Sequence, residues 1–190
     1  MASLLSTFAT LAVLHNLLLT QAVGLGAALA CGGRLDTACA HAASTLLAVV
    51  PAAALAYAAD RWLLQPADAT ALRLLLWVPL CLSASALAHR LVSDRYPALG
   101  ERLVAQGLLG AGYLVQLVVL WRVTADSASV ANAALDALAL GTGYGAATIA
   151  LTAWHGRLIS AGLPRTVSLA SAVLLSTAIA SMAVVGLGGA

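Results

Sequence analysis

The first 33 residues, Met1 to Gly33, carry no formal charge. A bilayer core needs roughly 20 apolar residues of helix, so this stretch is long enough to span one. Its middle is not a plain apolar run. It reads His15-Asn16-Leu17-Leu18-Leu19-Thr20-Gln21-Ala22-Val23-Gly24-Leu25-Gly26. Polar side chains at membrane depth are costly unless they face protein or a cavity, and glycines there let a helix break. The segment therefore reads as a helix interrupted near the midplane, with His15, Asn16, Gln21, Gly24 and Gly26 at the interruption. Transporter-like folds build their sites at such places. The competing reading is an unbroken first span whose polar residues bond to a neighbouring helix.

The rest of the composition agrees with a membrane setting. The chain has 190 residues, 62% of them hydrophobic and 8% charged, where a soluble domain carries about 25% charged residues. This predicts an all-α, polytopic membrane protein forming a single domain over 1–190. The net charge of +2 comes without a basic patch interleaved with aromatics, so nucleic acid is excluded as a partner and the lipid bilayer is the surrounding. The N-terminal stretch lacks a basic region and is too long for a cleavable signal, so it reads as a retained span.

Charge-free runs set the six expected spans: 3–30, 37–59, 72–91, 103–120, 133–154 and 166–185. The stretch from Asp60 to Asp68 reads as a loop, with Trp62 at the interface. Pro79 falls inside the third span. Ser93 to Arg102, the most charged stretch, reads as an aqueous loop. The fourth span contains Gln106-Gly107-Leu108-Leu109-Gly110-Ala111-Gly112-Tyr113 and is the second candidate for a broken helix, with Gly110, Gly112 and Tyr113 at the break. Loops one, three and five hold six arginines against three in loops two and four. By the positive-inside rule both termini lie outside the cytoplasm. Each half, about 1–92 and 93–190, opens on a glycine-interrupted helix and adds two more spans. That is the pattern of an inverted repeat.

Little in the chain suggests catalysis. Cys31, Cys39 and Cys81 show no CxxC or zinc spacing and read as small apolar fillers. His15 reads first as a hydrogen-bonded histidine tying the first span to a neighbour, and second as a proton or ion contact; Asn16 and Gln21 read the same way. His41, His89 and His155 lie near expected membrane boundaries and read as interfacial. Asp136 sits in the first turn of the fifth span, where a carboxylate favours the helix N-terminus. Gly141-Thr142-Gly143-Tyr144-Gly145 has a faint likeness to a channel filter but is better explained by close helix packing. No nucleophile constellation, carboxylate pair or phosphate loop is visible.

Several short pieces together resemble the RnfA/NqrE family, six-span subunits of the Rnf and Na⁺-translocating NADH:quinone oxidoreductase complexes. They are His15-Asn16-Leu17-Leu18-Leu19, Gly24-Leu25, Leu35-Asp36-Thr37-Ala38, Leu72-Arg73-Leu74-Leu75, Tyr96-Pro97-Ala98-Leu99, Arg157-Leu158, Leu163-Pro164 and Gly186-Leu187-Gly188-Gly189. The resemblance covers the whole chain. It implies a place in the bacterial inner (plasma) membrane, a paralogous partner (RnfE-like), and neighbouring RnfD-, RnfG- and RnfB-like subunits. In the family, one cysteine from each interrupted helix binds a [2Fe-2S] cluster shared with the paralogue. Here the first motif reads Gly24-Leu25-Gly26-Ala27 and the second Ala111-Gly112-Tyr113-Leu114. Gly26 and Leu114 stand where the family has cysteine, and neither can ligate iron. The expectation is a non-catalytic subunit of a redox-driven ion translocase without cluster ligands of its own. The alternative is a non-redox membrane protein of the same fold, a small transporter or an assembly scaffold.

Overall fold

The computed structural model describes residues 2–105, 107–162 and 169–188. Residues 1, 106, 163–168 and 189–190 lie outside the described residues, and with them the expected loop end at Pro164-Arg165 and the start of the sixth span. All regular structure among the described residues is helical. Helix α1 (Ala2–Ala9) runs into a π-helical turn (Thr10–Leu14). Short helices α2 (Leu17–Gln21) and α3 (Leu25–Ala30) follow, then α4 (Leu35–Ala59), which continues through a π-helical turn (Asp60–Leu64). Beyond a 3₁₀ turn (Thr70–Leu72) come α5 (Arg73–Arg95), α6 (Pro97–Ala105), α7 (Leu108–Asp126), α8 (Val130–Ala161) and α9 (Leu169–Gly188).

The chain is a helical membrane protein. Leu35–Leu64, Thr70–Arg95 and Val130–Ala161 are each long and apolar enough to cross a bilayer, and Ser171–Gly186 is a shorter apolar helix. Leu74, Leu75, Leu87 and Leu91 on α5, and Leu175, Ile179 and Met182 on α9, are exposed. Contiguous apolar surface on this scale is unusual for a soluble monomer and suits acyl chains.

The bundle is organised on the pair α4 and α8, which make its most extensive contact; α5 and α7 also pack on α4. Small residues let these two backbones approach. Ala48, Ala52, Ala53 and Ala56 of α4 and Ala133 and Ala137 of α8 are all buried. A Cβ placed on Gly141 would stand 2.8 Å from Leu46 and 3.1 Å from Val49. The glycine-rich run of α8 is thus a packing surface, as expected of small residues between membrane helices.

Two expectations are corrected. Ser93 to Arg102 is not an aqueous loop, because α5 extends through Arg95 and α6 begins at Pro97. The chain leaves the helix only at Tyr96 (φ −138°, ψ 77°). A residue before proline is pushed out of the α region, and proline suits the first turn of a new helix. Gly110, Gly112 and Tyr113 do not form a break either, since α7 runs unbroken from Leu108 to Asp126. The interruption is at Gly107, whose φ of +65° is in the left-handed region that glycine adopts freely. Pro79 lies within the continuous α5.

The connection after α4 is likewise tighter than a plain loop. Asp60 is 2% exposed and pairs with the Arg73 guanidinium through Nε–Oδ1 and through Nη2–Oδ2 at 2.9 Å. Gln65 Nε2 donates to Asp60 Oδ2 at 3.0 Å. This pair ties the end of α4 to the start of α5, while Trp62 is 72% exposed, as a residue at the membrane surface should be. Removing one member of a buried ion pair strands the other at a cost of about 3–5 kcal/mol. Arg73→Met is therefore expected to lower the melting temperature in detergent sharply, and Asp60→Asn on that background is expected to restore part of the loss.

A candidate functional site at the interrupted helix

The break in the first segment is built by Asn16. The π-helical turn closes with His15 N–H donating to the Thr10 carbonyl at 3.1 Å. Asn16 then turns extended (φ −62°, ψ 118°) and caps α2, its Oδ1 accepting from the Leu18 and Leu19 amides at 3.1 and 3.3 Å. Its Nδ2 donates backwards to the Ala12 carbonyl at 3.1 Å and across to the Gly143 carbonyl on α8 at 2.7 Å. One side chain thus uses both donors and both acceptor positions, three of them on groups of the broken segment and one on the carbonyl of α8. A second reversal follows at Ala22 (φ 54°) and Gly24 (φ 79°). The left-handed Ala22 costs roughly 1–2 kcal/mol, an expense that only tertiary packing around the break can hold in place.

Tyr144 of α8 supplies that packing. A Cβ on Gly24 would fall 2.6 Å from the Tyr144 ring and 2.9 Å from Val115. The Tyr144 hydroxyl lies 3.0 Å from His41 Nε2 on α4, both side chains being buried. Beyond His41 lies a void of about 10 Å³ bordered by Ser44 and Thr45 of α4, Ser85 of α5, and Gly112 and Gln116 of α7. Gln116 Nε2 donates to Ser85 Oγ at 2.6 Å. A neutral polar layer therefore runs from the break through α8 and α4 to α7 and α5. Its members among the described residues include no carboxylate or guanidinium, so it can orient dipoles and pass hydrogen bonds but has no built-in counter-charge.

The structure brings together some of the residues singled out from sequence and separates others. Asn16, Gly24 and Gly112 join this layer. His15 and Gln21 are exposed beside the break, as is Gly26, with open space where a side chain would begin. Gly110 is exposed and Tyr113 half-buried on α7. His41 and His155 are buried within the bundle, and both ring nitrogens of His155 lack partners among the described residues. Their places near the ends of apolar runs hid the fact that they sit on the small-residue faces joining α4 and α8. His89 is part-buried, with its Nε2 3.3 Å from Ser93 Oγ. Asp136 accepts from Ser127 Oγ at 2.6 Å. It borders a cavity of about 520 Å³ at the other end of α8, whose walls include Phe8, Leu11 and Asp126.

Tyr144, Gln116 and Ser85 escaped the sequence reading. A lone glutamine in Leu114-Val115-Gln116-Leu117-Val118 is itself a signal, because polar groups inside apolar spans generally face partners. The three cysteines are dispersed over the bundle. Cys31 is buried at the end of α3, Cys81 is buried on α5, and Cys39 is exposed on α4. Among the described residues no three of His, Cys, Asp and Glu converge on a metal position. No known family model and no curated protein matches the chain.

The cap and the close approach predict separable defects. Asn16→Ala removes the α2 cap and the side-chain bond to the Gly143 carbonyl. A loss of about 2 kcal/mol is expected from these effects, measured by chemical or thermal unfolding. Gly24→Ala combines a disfavoured φ with a clash against Tyr144. It is expected to cost more than Asn16→Ala, and Tyr144→Ala on that background should recover part of the difference by making room.

Proposed function

We propose that the chain is a membrane subunit of an Rnf-type, ion-translocating electron transport complex, retaining the RnfA/NqrE framework without ligands for a [2Fe-2S] cluster of its own. In this reading six spans form two inverted three-helix halves. Both termini face the periplasm from the bacterial inner membrane, and the chain pairs with an RnfE-like paralogue beside RnfD-, RnfG- and RnfB-like subunits. It is a non-catalytic part of the enzyme, and electrons cross through other chains.

The observation that carries the reading is the meeting of the two interruptions. Ala27 and Cys31 after the first break, Leu103 before the second and Leu108 after it share one buried apolar cluster with Ala38 and Ala40 of α4. Each interruption precedes two further long helices, α4 and α5 in one half, α8 and α9 in the other. By chain order the dominant pair, α4 and α8, stands in equivalent places in the two proposed halves, which supports an internal two-fold relation in this reading. The first interruption begins at Asn16 and ends at Gly24, the start of the stretch matched to the family's first motif, which supports the reading. The second falls at Gly107, seven residues before Leu114, so the 111–114 stretch matched to the family's second motif lies on an unbroken helix.

A second reading, a non-redox membrane protein of the same fold, is favoured by the apolar, exposed Leu114 and the side-chain-free Gly26 at the family's ligand positions. One preparation separates the two. The chain is purified from its native membrane with whatever co-elutes, and its partners, iron content and low-temperature paramagnetic resonance spectrum are recorded. The first reading expects a stoichiometric RnfE-like partner and no reducible cluster signal assignable to this chain. A monodisperse, iron-free chain without such a partner would hand the assignment to the second reading.

A further inference from the structure

The void between His41, Ser44, Thr45, Ser85, Gly112 and Gln116 has about 10 Å³ of free space. That is roughly the 10–15 Å³ threshold for holding a single water molecule. Gln116 is 1% exposed, and its Oε1 is buried without a hydrogen-bond partner among the described residues. Buried amide oxygens in native proteins are nearly always partnered by protein or by ordered water. The hydroxyls around the void are suited to a water. Ser44 Oγ gives its proton to the His41 carbonyl at 3.0 Å, which leaves its lone pairs to accept. Ser85 Oγ receives the Gln116 amide, which leaves its own proton to donate. We propose that this void is a binding site for one ordered water, which donates to Gln116 Oε1 and completes the hydrogen-bonded layer between the His41–Tyr144 pair and the Gln116–Ser85 pair. The assignment is independent of any partner subunit.

Gly112 gives the test its leverage. A Cβ there would lie 3.5 Å from Thr45 Oγ1, 3.8 Å from His41 Cε1 and 4.0 Å from Gln116 Nε2. These are ordinary contacts, so a small side chain fills the void without a clash. Gly112→Ala would displace the water and leave Gln116 Oε1 bare. Gly112→Ser would displace it and supply a hydroxyl in its place. Alanine is preferred to glycine in a helix and fills the space, so a dry void predicts that the alanine variant melts above the unmodified protein. A wet void predicts that the alanine variant melts at or below the unmodified protein, that the serine variant melts above the alanine variant, and that Gly112→Ala becomes stabilising on a Gln116→Leu background, where no amide needs a partner. A stabilisation by Gly112→Ala that is the same on both backgrounds overturns the proposal. So does a melting temperature of the unmodified protein that tracks the identity of the alkali cation at fixed ionic strength, since the occupant would then be an ion. Should the variants fail to fold, a high-resolution map of the unmodified protein decides. A solvent peak within hydrogen-bond distance of Gln116 supports the site, and an empty void refutes it.

Discussion

Backbone polar groups in the hydrocarbon layer must find partners inside the protein, and the rest of this structure depends on how one side chain meets that demand. An interrupted helix exposes N–H and C=O groups that lipid cannot satisfy. Asn16 answers with four hydrogen bonds, one of them to the Gly143 carbonyl of α8. That carbonyl already belongs to a continuous helix and offers its second lone pair. The break is thereby anchored to the longest of the described helices. Gly143 must remain small for the interrupted segment to approach, since a Cβ there would stand 2.8 Å from Ala12 Cα, while Gly141 and Gly145 of the same run face Leu46 and Ala42 of α4. The run thus serves two contacts, one with the break and one with α4.

The same contact explains why the polar layer sits where it does. Tyr144 follows Gly143, so anchoring Asn16 places the tyrosine ring against Gly24 and its hydroxyl against His41. Thr148 returns its own hydroxyl to the Tyr144 carbonyl, one turn along the helix. The layer is thus a local consequence of helix periodicity on α8 together with the buried face of α4, where His41, Ser44, Thr45 and Ala48 recur at helical spacing. Its members are uncharged or half-polar. A buried network of this kind is tolerable only if nearly every member is satisfied, which is why an unpartnered Gln116 Oε1 matters more than its size suggests.

Much of this was legible in the sequence, and the failures have physical causes. The first break could be located because polar residues and glycines interrupt an otherwise apolar run, a pattern that membrane helices rarely carry without a reason. The second could be assigned only to a region. Gly107, Gly110 and Gly112 look alike in one dimension, yet one takes a left-handed φ, one faces outward, and one makes room beside Thr45. Glycine serves backbone reversal and close approach equally well, and only the packing tells them apart. The burial of His41 and His155 could not be read, because hydropathy locates the end of a span without saying which face turns inward. The Asp60–Arg73 pair was invisible for a related reason: its members lie either side of a turn whose π-helical and 3₁₀ geometry no composition rule supplies.

The layer also bears on what could move through this chain. A void of about 10 Å³ admits one water. An ion passing here would have to exchange its hydration shell for a few hydroxyl and amide groups without any opposite charge. The energetic penalty for a bare charge in such surroundings is several kcal/mol even after relaxation. Passage would therefore require the layer to open, and the void is walled by α4, α5 and α7, with the short segments α2 and α3 packed beside it and joined by residues with positive φ. The long helices α4 and α8 are locked together along their small-residue faces and cannot separate without losing the core.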